Sequence, residues 1–160
     1  MKLAVLGGPG FITPHFLSQA LRSGYAIKLL APHASKSFKH PRLTIAHGSL
    51  KDISLIEEVL RDTQAVIALP QAIDNLETLV TIVQTMYAHN ITRLIIAADL
   101  SQPESKQFEP GLKKLNIDWT VVRYTGSEVS FKVPGAAFAK YLMSQITDAS
   151  NVRSAVLLSN

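Results

Sequence analysis

Lys2-Leu3-Ala4-Val5-Leu6-Gly7-Gly8-Pro9-Gly10-Phe11-Ile12-Thr13-Pro14 decides how this chain folds: an apolar run breaks into glycines and then opens a helical pattern. Downstream, Phe16, Leu17, Ala20 and Leu21 share one helical face, and Gly24 supplies a stop. A strand, a glycine turn and a helix in that order form the first half of a βαβ unit. Within the turn, Gly7 permits a tight bend, and Gly10 lets the backbone approach an anion that the helix N–H groups face. Thr13 stands where a third glycine would allow close helix–strand packing. In a helix begun at Phe11, Pro14 would be the fourth residue, where it removes the first intrahelical bond. Thr as N-cap with Pro in the first helical position is a favoured start. Regular helix is therefore expected from Pro14, with Gly10–Ile12 as a looser turn and a weakened anion site.

Outward from this unit, β-branched apolar runs alternate with helical periodicity along all 160 residues. The runs predict strands at Lys2–Leu6, Ala26–Leu30, Leu43–His47, Ala65–Leu69, Arg93–Ala97, Trp119–Arg123 and Ala155–Leu158. Helices are predicted around Pro14–Ser23, Ile53–Arg61, Ile73–His89, Pro103–Leu115 and Pro134–Thr147. Strands apolar on both faces suit a parallel sheet covered by helices on each side. The fold class is α/β, a doubly wound, mostly parallel sheet. The length suits one domain, residues 1–160, and no repeat or linker divides it.

Charge and composition narrow the function classes. The net charge is +4, yet no Asp or Glu precedes Asp52, while Lys2, Arg22, Lys28, Lys36, Lys39, Arg42 and Lys51 all do. This basic front third attracts phosphate or presents a solvated basic face. Lys36, Lys39, His40 and Arg42 come without an aromatic stacking platform, so nucleic acid is not the expected partner. The absence of cysteine excludes disulfides and thiolate metal sites, and the five histidines lack zinc-ligand spacing, so no metal is expected. Apolar runs of strand length and the lack of a signal-peptide pattern predict no membrane association and a cytoplasmic location.

Ligands of such sheets bind beyond the carboxyl ends of the strands. An acid at the end of the second strand would hold the 2′-hydroxyl of NAD; here the chain reads Ala31-Pro32-His33-Ala34-Ser35-Lys36. His33, Ser35 and Lys36 could instead surround a 2′-phosphate, which favours NADP, although an ordinary polar loop has the same composition.

The segments "MKLAVLGGPGFITPHFLSQALRSGYAIKLLAPHASK", "LTIAHGSLKDISLIEEVL", "AVIALPQ", "ITRLIIAADLS", "LNIDWTVVRY" and "AVLLSN" occur in an order that resembles the atypical short-chain dehydrogenase/reductase superfamily. The chain is most similar to its NmrA-like, NAD(P)H-binding branch. The resemblance implies a Rossmann-like fold and a dinucleotide cofactor. It assigns the glycine loop to Gly7, Gly8, Pro9, Gly10, Phe11 and Ile12. Pro32 stands where many NADP-using relatives have arginine. Ser49, followed by Leu50, replaces the acid that approaches adenine in relatives. Ala68, Leu69 and Pro70 match the segment lining the cofactor, and Ala97-Ala98 replaces a serine-bearing strand end.

Typical short-chain dehydrogenases use a tyrosine acid assisted by a lysine one helical turn away. No Tyr-x-x-x-Lys occurs here: Tyr25 precedes Lys28 by three, and Lys140 directly precedes Tyr141. Asp99 and Tyr124, with Arg123 behind Tyr124, are the best-placed catalytic candidates; a capping Asp and a strand-end Tyr are their structural alternatives. Connections after the fourth, fifth and sixth strands are short, from Pro70 to Asp74, Asp99 to Gln102 and Thr125 to Val133, which predicts a shallow pocket that a second subunit could wall. The sequence thus allows a small NADP-dependent oxidoreductase acting directly on an unsaturated or carbonyl substrate, or a nucleotide-sensing regulatory protein without turnover.

Overall fold

The computed structural model describes residues 1–7, 12–32, 39–70, 72–124 and 135–158. Seven strands, β1 (Lys2–Leu6), β2 (Ala26–Ala31), β3 (Leu43–His47), β4 (Ala65–Ala68), β5 (Arg93–Asp99), β6 (Asp118–Tyr124) and β7 (Ser154–Leu157), form one sheet in the order β3-β2-β1-β4-β5-β6-β7. Every pairing is parallel. Among the described residues five α-helices accompany them: α1 (Ile12–Arg22), α2 (Ile53–Leu60), α3 (Leu76–Ala88), α4 (Phe108–Lys113) and α5 (Gly135–Ser144). This is a doubly wound, Rossmann-like α/β fold.

Alternation along the strands divides the interior into two cores. Leu3 and Val5 of β1 join Phe16, Leu17 and Ala20 of α1 and Phe138 and Leu142 of α5. Ala4 and Leu6 face the other way, among Ile56 of α2, Leu79, Ile82 and Met86 of α3, and Leu112 of α4. Trp119 on β6 is fully buried in this second core.

Several element boundaries depart from the sequence reading by one to three residues, and three departures have identifiable reasons. Helix α1 begins at Ile12, two residues before the expected start at Pro14. Pro14 is its third residue, where the backbone N–H has no intrahelical acceptor, so proline costs no bond there. The bias of a pre-proline residue against helix did not prevail at Thr13. The helix expected over Pro103–Leu115 is split into a 3-10 turn over Pro103–Gln107 followed by α4. Pro110 explains the break: it cannot donate to the carbonyl four residues earlier, whereas in the first turn of a restarted helix it is tolerated. Strand β5 continues past Ala97 because Ala97, Ala98 and Asp99 pair with Val122, Arg123 and Tyr124 of β6.

Two end devices fix the helices that matter for the sheet edge. Gly24, at φ 96°, ends α1 in a Schellman arrangement: its N–H donates to Leu21 C=O, and Tyr25 N–H donates to Ala20 C=O. Asp52 caps α2, accepting from Ser54 N at 3.0 Å and Leu55 N at 3.3 Å.

Candidate functional site

The strand order reverses about β1: the chain winds from β1 out to β3, then crosses back to place β4 on the other side of β1. The crevice beyond the carboxyl ends of β1 and β4 is the topological switch point, where ligands bind in open parallel sheets. Backbone bonds continue across the carboxyl edge after the strands end. Gly7 N–H donates to Leu30 C=O (2.9 Å), Leu69 N–H to Leu6 C=O (2.9 Å) and Gly48 N–H to Ala31 C=O (3.2 Å).

Gly7 is buried at the end of β1. A Cβ there would lie 3.1 Å from Leu29 Cδ1 and 3.2 Å from Ala31 Cβ, so glycine lets the chain leave β1 flush against β2. Ile12, the last residue assigned to the loop, is the first of α1 and is buried, which anchors the helix N-terminus in the core. The first turn of α1 carries no acidic side chain. An anion at this helix start would meet the positive end of the helix without competition from a carboxylate. Gly8, Pro9, Gly10 and Phe11 lie outside the described residues, as do His33, Ser35 and Lys36.

Along the rest of the edge, Pro32 follows β2 and is exposed, and exposed Ser49 follows β3. The Ser49 hydroxyl accepts from Lys51 N–H at 3.1 Å. Leu50 packs against the α2–α4 core. Ala68 and Leu69 are fully buried in opposite cores, so neither side chain faces the edge. Pro70 is also buried. The first acid of the chain, Asp52, is engaged in capping α2.

Asp99 and Tyr124 come together as register partners at the ends of β5 and β6. Their surroundings favour the structural alternatives. Asp99 is 6% exposed, and its Oδ1 accepts from Ser101 N–H at 2.9 Å and Ser101 Oγ at 2.7 Å. Ser105 Oγ donates to Asp99 C=O at 2.7 Å. Tyr124 is 3% exposed, with its ring edge-on to Phe138 of α5, centroids 5.4 Å apart at 72°. Burial, and then the neighbouring charge of Asp99, raises its phenol above the usual tyrosine range, so it stays neutral. Arg123 does not stand behind Tyr124: alternation sends it to the opposite face, where it pairs with Glu109 of α4.

Ser101 and Ser105 were missed by reading strand ends alone. The Asp99-x-Ser101 spacing was the available signal, because an Asp commonly accepts from the backbone two residues on. Gly48 was likewise missed; a Cβ there would collide with Leu55 Cδ1, where α2 folds over the end of β3. Among the described residues, no three His, Cys, Asp or Glu side chains gather in a metal-like cluster. Nor is any described helix long and apolar enough to cross a membrane.

A family model described as NAD(P)H-binding matches residues 7–129, from the glycine at the end of β1 to beyond β6. The chain belongs to the NAD(P)H-binding family. Its similarity to solved structures spans nearly its whole length. A short-chain dehydrogenase/reductase from Veillonella parvula in complex with NADP aligns at TM-score 0.83 and 16% identity, covering 99% of this chain and 94% of that one. A Rossmann-fold NAD(P)-binding family protein from Shigella flexneri aligns at 0.79 and 17%, covering 99% and 93%. An oxidoreductase from Lactococcus lactis aligns at 0.77 and 15%, covering 100% and 91%. No curated protein matches the sequence. In this NAD(P)H-binding chain the described carboxyl edge has a tight glycine exit from β1 and an acid-free start to α1.

Proposed function

We propose that the protein binds NADP(H) across the β1–β4 crevice and senses the nucleotide without acid–base catalysis by its own side chains. One observation carries this reading: both side chains placed for proton transfer are occupied structurally. The Asp99 carboxylate holds the Ser101 turn, and the Tyr124 ring is buried edge-on to Phe138 of α5. The α1 start and Gly7 would hold the diphosphate, with the nicotinamide half lying beyond the end of β4. Preference for NADP rests on the lack of any free acid near the end of β2 and on Lys36 in the following loop.

A second reading, an NmrA-like oxidoreductase, is supported by the oxidoreductase names of the similar structures. When bound, NADPH supplies a hydride, and this chain's part would be to orient it against a carbonyl or unsaturated substrate without a protein proton donor. Calorimetric titration with NADPH and NADH tests the cofactor reading. NADPH should bind more tightly, and Lys36→Ala should reduce the difference; equal binding of both by the parent would overturn the preference. Turnover with any of a panel of quinones, enals and ketones would replace the sensor with the oxidoreductase.

A further inference from the structure

The outer face of α1 lies away from the carboxyl edge and has no part in the nucleotide site. Two clefts open there and share Arg22. One, of about 440 Å³, lies between α1 and α5 and is lined by Gln19, Arg22, Ala136, Ala137, Lys140 and Met143. The other, of about 360 Å³, lies between α1 and the entry to β3 and is lined by Ser18, Leu21, Arg22, Lys39 and His40.

Bonds between elements fix both walls. Gln19 Nε2 donates to Ala136 C=O at 2.7 Å, tying α5 to α1. The Arg42 guanidinium donates to Leu21 C=O at 2.5 Å, tying the β3 entry to the end of α1. Arg42 N–H also donates to His40 Nδ1 at 3.0 Å, which leaves Nε2 to carry the proton of a neutral ring. The cations are thus presented on a braced surface.

Their charge is unbalanced. Arg22, Lys39 and Lys140 are exposed, and none takes part in an ion pair among the described residues. Residues 1–51 contain no Asp or Glu, and neither does α5. A one-signed field focused by clefts attracts anions of matching shape. The floor between the charges is apolar, formed by Ala136, Ala137 and Met143. Among the described residues no Phe, Tyr or Trp lines either cleft, which leaves bases only the His40 ring and the Arg22 guanidinium to stack on.

We infer that the joined clefts along α1 dock an acidic peptide segment of a partner protein, with its apolar side chains on the Ala136–Met143 floor and its carboxylates on Arg22, Lys39 and Lys140. The test uses the full chain and a fluorescein-labelled 12-residue peptide of alternating Glu and Leu, followed by anisotropy. Binding should weaken as salt is raised, and Arg22→Glu with Lys140→Glu should weaken it at least about tenfold. The charge-matched control, Lys106→Glu with Lys114→Glu on the opposite layer, should change it less than about twofold. Should the first reversal fail to fold, Arg22→Ala with Lys140→Ala carries the test, with a loss of about threefold or more expected. Absence of peptide binding overturns the inference, as does an equal loss in the control. Tighter binding of a 12-nucleotide oligothymidylate with the same dependence on Arg22 and Lys140 also overturns it, in favour of nucleic acid.

Discussion

Asp99→Ala should cost stability whether or not the protein has any turnover. The wild-type carboxylate takes two hydrogen bonds from Ser101 and sits 6% exposed at the end of β5. Hydrogen bonds to a charged group contribute about 1.5–3 kcal/mol each, and a buried group left unsatisfied costs a similar amount. Ser101 is exposed, so water replaces part of what its N–H and hydroxyl lose. A net loss of about 2 kcal/mol is therefore expected. For a chain of this length that lowers the midpoint of thermal unfolding by about 4–8 °C. Asp99→Asn keeps an acceptor at Oδ1 and loses only the charge assistance, so it should lose about half as much. Calorimetric melting of the three proteins at neutral pH measures this. A melting point for Asp99→Ala within about 1 °C of the parent would refute the structural role and return Asp99 to the reacting centre.

Tyr124→Phe probes the neighbouring phenol through alkaline stability. The folded-state pKa is raised above that of an unfolded tyrosine, near 10, so the contribution is complete below that pH. Above it the unfolded chain loses a proton that the folded chain keeps, and stability falls by about 1.4 kcal/mol per pH unit. Urea unfolding between neutral pH and pH 11 should therefore fall less steeply for Tyr124→Phe than for the parent; parallel curves would contradict the raised pKa. Thr13→Gly tests the glycine-loop argument, because α1 already runs from Ile12. It should lower helix stability by only about 0.3 kcal/mol and change NADPH affinity less than about threefold by titration, whereas tenfold tightening would show that the side chain obstructs the nucleotide.

Much of the fold was legible because the strands are apolar on both faces and the helices are apolar on one. Val5, Ile67, Ile95 and Val122 in one core, and Leu6, Val66, Ile96 and Val121 in the other, occupy adjacent positions in strands recognisable by composition alone. Boundaries near proline turned on a shift of one residue in where the helix begins. At Pro14 the missing N–H falls among donors that have no partner in any helix, while at Pro110 the same feature breaks the run and restarts it. The row of strand ends was also legible, since topology alone assembles Gly7, Ala68, Asp99 and Tyr124 on one edge. What those side chains do there was not. The Asp99–Ser101 bonds and the burial of Tyr124 depend on a three-residue turn and on α5, which sequence periodicity does not encode.

The division of the interior has a consequence for how this protein tolerates change. Each strand contributes neighbouring residues to opposite cores, so the two helical layers communicate only through the sheet between them. A cavity opened at Ile82 is filled by rearranging α2, α3 or α4, and nothing in α1 or α5 can move to meet it. Compensating substitutions should accordingly segregate by layer, and damage in different layers should accumulate independently. The ligand-facing edge belongs to both layers at once. Drift in either one reaches it through half of its residues, while the other half keeps the strand ends in line.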